Sequence, residues 1–125
     1  MAAAVESAWP RGAPLEGVVI TRYGHGLPTT RVRVVEAGHP VPDEAGESAA
    51  QEILARAKMM GPDDLLLVLV SGGGSSLLSL PVPGIGMADL KAVTRDLLAS
   101  GAPIQDMNTI RKHLSLIQGG RLALA

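Results

Sequence analysis

Cysteine is absent from the 125 residues. That excludes a disulfide framework, a thiolate metal site and a cysteine nucleophile, and it suits a reducing compartment, so the cytoplasm is the expected location. Phenylalanine is absent as well, and Trp9 and Tyr23 are the only aromatic residues, too few to build a platform for stacking bases. Nor is there an excess of one charge: eleven Lys plus Arg stand against twelve Asp plus Glu, a formal charge of -1. A phosphate-backbone binder usually carries a basic surplus, so nucleic acid is not an expected partner. Long apolar runs are missing too. The longest, Leu65 to Val70, has six residues, where a bilayer span needs about 20. The N-terminal MAAAVESAWPRG lacks the basic start and apolar stretch of a signal peptide.

With 46% hydrophobic and 18% charged residues, the chain suits one folded domain or a piece of a larger one. LLLVLV lies between GPDD and SGGG, the pattern of a central parallel strand covered on both faces. Ala45 to Met60 carries Ile53, Leu54, Ala57 and Met60 at helical spacing, after an acidic start at Asp43 and Glu44. Arg31 to Glu36 has the β-branched content of a strand, so strand, helix and strand form one right-handed crossover unit. Gly17 to Thr21 reads as another strand, but its link to Arg31 is too short for a helical crossover, and its direction stays open. SLLSLPVPGIG reads as an irregular loop. Met87 to Ala99 is a helix with Leu90, Val93, Leu97 and Leu98 inward, and Pro103 opens the next. The expected fold class is α/β: a Rossmann-like, mostly parallel sheet flanked by helices. Residues 1–16 form a poorly defined N-terminal segment and 17–125 a partial domain, incomplete at both ends.

Three groups of residues offer chemistry. Ser71-Gly72-Gly73-Gly74-Ser75-Ser76 follows the apolar run directly. Three residues without β-carbons let backbone N–H groups surround an anion, and the serines add donors. The spacing matches neither GxxxxGK[ST], nor GxGxxG, nor GxSxG. The plainer reading is a tight turn that passes a strand under a helix. Next, Asn108, Arg111, Lys112 and Ser115 recur at i, i+3, i+4 and i+7 opposite Met107, Ile110, Leu114 and Ile117, which predicts one donor-rich helix face. Arginine and lysine together hold an anionic substrate, although a solvated charged face would look the same. Third, Gly38-His39-Pro40-Val41-Pro42-Asp43-Glu44 closes the second strand. His39 offers a proton shuttle and Asp43 a base, or Asp43 merely caps a helix. Ligands in open α/β sheets bind at the carboxyl ends of strands, which predicts that His39 and the glycine run meet. No carboxylates or histidines have metal-ligand spacing.

Read in order, GVVITRYGHG, EAGHPVPDEAG, LVSGGGSSLLSLPVPGI and LLASGAPIQDMNTIRKHLSLIQGGRLA resemble the N-terminal domain of the glycerate 2-kinase family, often labelled hydroxypyruvate reductase. The likeness runs from about Gly17 to Leu122. It implies ATP-dependent phosphorylation of D-glycerate to 2-phosphoglycerate, with Mg2+, in a cleft between two domains. It also implies that Ser71 to Ser76, Asn108, Arg111 and Lys112 face that cleft, with His39 and Arg121 nearby. Members of that family begin with a further helix and a strand ending in Gly-Lys and continue into a second domain. The expectation is therefore a fragment, inactive alone, that needs its C-terminal domain, a partner chain or a homo-oligomer. The rivals are a nicotinamide-dependent hydroxypyruvate reductase, disfavoured by the missing GxGxxG, and a non-catalytic anion-binding or subunit module.

Overall fold

The computed structural model describes residues 1–125. Helix α1 (Ala2–Ala8) comes first, in the stretch where the sequence offers no element. Strand β1 (Gly17–Arg22) and strand β2 (Val32–Ala37) pair in parallel, from Gly17 opposite Val32 to Arg22 opposite Ala37. Nine residues, 23–31, join them. Returning along a six-residue strand takes about 17 Å, which nine residues span without a helix because an extended residue covers about 3.3 Å. The direction left open by the sequence is thus parallel.

Helix α2 (Glu44–Lys58) follows and lies against both strands. Asp43 caps it: one carboxylate oxygen accepts the Gly46 N–H at 3.0 Å, and Glu44 and Glu47 favour the positive helix end. The residues it buries are Gly46, Ala49 and Ala50, nearer its start than the expected Ile53, Leu54, Ala57 and Met60. Close approach selects these small residues. A β-carbon on Gly46 would sit 2.9 Å from the Leu77 carbonyl oxygen and 3.4 Å from the Ala37 β-carbon.

Helix α3 (Gly74–Leu77) is one turn long. Helices α4 (Met87–Ala99) and α5 (Ile104–His113) follow, and Arg121–Leu124 closes the chain as a 3-10 turn. Beyond α5, Ser115 forms an antiparallel bridge with Pro81, made by Val82 N–H donating to the Leu114 carbonyl and Leu116 N–H to the Leu80 carbonyl. Ala50, Leu80 and Ile117 form the core there, with Leu54, Leu78, Leu116 and Leu122 packed on it.

Two expectations are corrected. Leu65 to Val70 is not a strand: its backbone makes no hydrogen bond and its side chains are 43% to 76% exposed. The sheet has two strands, and apolar content cannot make a strand where no neighbour supplies N–H and C=O partners. Helix α5 buries no residue, and Ile110 is 41% exposed. The helix stops at His113, so Leu114 and Ile117 leave the predicted apolar face and join the bridge and core instead. The architecture is α/β, two parallel strands with flanking helices.

Candidate functional site

The carboxyl end of β2 brings His39 to the glycine turn. Gly73 holds φ +85°, a left-handed conformation that glycine adopts without penalty. A β-carbon there would lie 2.6 Å from His39 Nε2. The imidazole therefore occupies the space that any other residue at 73 would fill. The His39–Pro40 peptide is cis. Within the turn, Gly74 N–H donates to the Ser71 carbonyl, and Ser76 and Leu77 N–H both donate to the Gly73 carbonyl. The amides of Gly72, Gly73 and Ser75 have no acceptor in the chain, and Ser71 and Gly72 are exposed. Ser76 is not an open donor: it is buried, and its hydroxyl donates to the Gly73 carbonyl at 3.0 Å.

Asp43 is committed as well, so it is a cap and not a free base. Besides capping α2, it accepts the Gly38 N–H at 2.9 Å and the Tyr23 hydroxyl at 2.7 Å. Partial burial pushes its pKa up, but the Gly46 N–H, the Tyr23 hydroxyl and the Gly38 N–H together hold it below the ordinary carboxyl value. The Tyr23 phenol is raised in turn, chiefly by that bond.

The predicted donor stripe divides. Arg111 is half-buried and shares a cleft with Ser75, Ser76, Thr94 and Ser115 between α3, α4 and the segment after α5. No carboxylate pairs with it. Lys112 is exposed, packs on Gly119, and lines a separate open recess with His113, Gly119 and Arg121. Successive helical residues point about 100° apart, which sends the two cations to different sides. Arg121 donates to the Lys112 and Ser115 carbonyls and so closes the end of α5. Asn108 is exposed, and Ser115 lies past the helix. Gln118 donates its amide to the Ser75 and Leu78 carbonyls, which ties this segment to the turn.

Gln118 and Thr94 escaped the sequence reading. Thr94 follows the inward Leu90 by four residues, so it shares that face of α4. A hydroxyl at a buried register was the available signal.

A family profile described as a domain of unknown function, DUF4147, matches residues 1–125. The chain belongs to this family. A provisionally named hydroxypyruvate reductase of Agrobacterium vitis is 55% identical over 125 residues, covering 100% of this chain and 28% of that protein. A glycerate 2-kinase of Pyrococcus horikoshii is 47% identical over 108 residues, covering 86% of this chain and 24% of that protein. A crystal structure of a P. horikoshii protein superposes with a TM-score of 0.86 at 44% identity, over 99% of this chain and 28% of that one. The DUF4147 chain described here thus spans roughly a quarter of the length of the relatives it matches.

Proposed function

We propose that the chain contributes part of the active site of an ATP-dependent glycerate 2-kinase, which transfers a phosphoryl group to the 2-hydroxyl of D-glycerate. One juxtaposition carries this reading. The His39 imidazole lies against a turn with three unpartnered amides, and the unpaired Arg111 guanidinium shares a cleft with that turn's serine. Phosphoryl transfer asks mainly for positioning and for fixed donors aimed at developing negative charge. In this reading the amides of Gly72, Gly73 and Ser75 receive phosphate oxygens, with Ser71, Gly74 and Ser76 shaping the turn. Arg111 holds the acid, and His39 accepts the hydroxyl proton. Asn108, Lys112 and Arg121, on the outer side, meet the nucleotide. The relatives' names support the substrate class.

Magnesium, expected with ATP, finds no holder among these residues. No three His, Asp or Glu side chains converge, and both Asp43 oxygens already accept hydrogen bonds. The chain's own part is therefore amides, hydroxyls, an imidazole and cations.

The test is a pair of assays on the chain. With ATP, Mg2+ and D-glycerate it is expected to give no turnover at ordinary enzyme rates, while 2-phosphoglycerate binds. Failure of 2-phosphoglycerate to bind contradicts the reading. Oxidation of NADH on addition of hydroxypyruvate would favour the reductase instead, the activity in the name of the A. vitis relative.

A further inference from the structure

Four donors in the cleft between α3 and α4 remain unused by the protein. Thr94 is 3% exposed and lines the cleft, yet its hydroxyl has no hydrogen-bond partner. Its oxygen is not among sealed, unsatisfied atoms, so it keeps a little access to solvent. An orphaned hydroxyl in a residue this buried costs free energy unless something is there to meet it. Ser115 Oγ accepts the Ile117 and Gln118 N–H groups, both at 3.2 Å, which leaves its proton to donate inward. The Ser75 hydroxyl is unpartnered, and the Arg111 fork has no carboxylate opposite it.

Among the residues that line this space Arg111 alone is ionised, and none is acidic. The cleft is therefore a donor-rich, net positive site with nothing in the chain to neutralise it. Its internal volume is about 10 Å³, close to the room one water oxygen needs. It therefore admits one anion oxygen, and the guanidinium fork beside it matches the planar edge of a carboxylate.

We infer that this cleft is a carboxylate subsite, in which Arg111 and the hydroxyls of Thr94, Ser75 and Ser115 hold the acid group of a small hydroxy acid. The inference rests on the kinase reading for the identity of that acid and assigns Thr94 a binding role. It also separates two duties: the carboxylate goes to the cleft, and phosphate goes to the amides of Gly72 and Gly73.

The test is proton–nitrogen correlation NMR of the chain, following the Arg111 side-chain signal and the Thr94 amide during titration with acetate, D-glycerate and inorganic phosphate. Acetate and D-glycerate are expected to move both signals to saturation. Thr94→Val removes one hydrogen bond to a charged group at constant shape and is expected to weaken both about tenfold or more. Thr94→Ser keeps the hydroxyl and is expected to bind like the parent. Phosphate is expected to move the Gly72 and Gly73 amides equally in the parent and in Thr94→Val. Acetate and glycerate binding unchanged by Thr94→Val, or carboxylates that leave Arg111 and Thr94 unmoved, would overturn the inference. Phosphate that fails to move Gly72 and Gly73 while acetate still binds would remove the kinase reading and leave the cleft standing.

Discussion

Gly73 is the residue on which the site turns, because two constraints meet there. Its backbone is left-handed, and its missing side chain makes room for His39. Gly73→Ala therefore meets a conformational penalty of about 1–2 kcal/mol and must also push the imidazole aside. Urea unfolding is expected to show a loss of that order, and the His39 ring signals are expected to shift. An unchanged ring environment would mean that the contact is not maintained in solution. The meeting of His39 with the turn was predicted from the sequence on a ground that holds for one partner only: His39 follows β2, whereas the stretch before the glycine turn is not a strand. Asp43 was legible only as a choice between base and cap. Three donors on two oxygens decide for the cap. Thr94 was legible as an inward position, four residues after Leu90, but not as an open donor, because a helical pattern reports which side faces inward and not whether a hydroxyl there finds a partner.

Among the elements, α1 shows how one carboxylate can dock a helix. Glu6 accepts the N–H groups of Thr30, Arg31 and Val32 at 2.9, 2.6 and 2.7 Å, at the entry to β2. These bonds, led by that from Thr30, lower its pKa from the ordinary 4.5 to about 2. A depressed carboxyl stabilises the fold above its unfolded value and loses that contribution as pH falls through the folded one. The docking of α1 is thus expected to hold above about pH 4.5 and to be lost progressively between there and pH 2. Glu6→Gln should lower the melting temperature at neutral pH and flatten its fall in that acid window. A variant with the parent's pH profile would contradict the assignment. No pattern in MAAAVESA marks Glu6 for this task, because its partners are backbone amides some 25 residues away. Helix α2 was legible through its acidic start and spacing. The stripe on α5 was only half legible, since the pattern runs on past His113 while the helix does not.

For the whole molecule, the consequential feature is a thin core beside an uncovered apolar run. Fourteen of 125 residues are buried, and Leu65 to Val70 lies exposed with its backbone unpaired. Such a segment offers both apolar surface and an open row of hydrogen-bonding groups for association. Size-exclusion chromatography is expected to show concentration-dependent self-association of the chain, relieved by combined Leu67→Lys and Leu69→Lys. Monodisperse behaviour of the parent at high concentration would contradict this. The composition made the run look like the centre of a sheet. Centrality depends on neighbouring strands, and no stretch of six residues can specify those by itself.

The account stands or falls on whether the amides beside His39 receive an anionic group. The direct measurement is a backbone-amide NMR titration of the chain with 2-phosphoglycerate. The signals of Gly72, Gly73 and Ser75 are predicted to move together and saturate, with affinity falling about tenfold in Arg111→Gln, as expected for losing a charged hydrogen-bonding partner. Saturable binding that leaves those three amides in place, or that ignores the loss of Arg111, would contradict it.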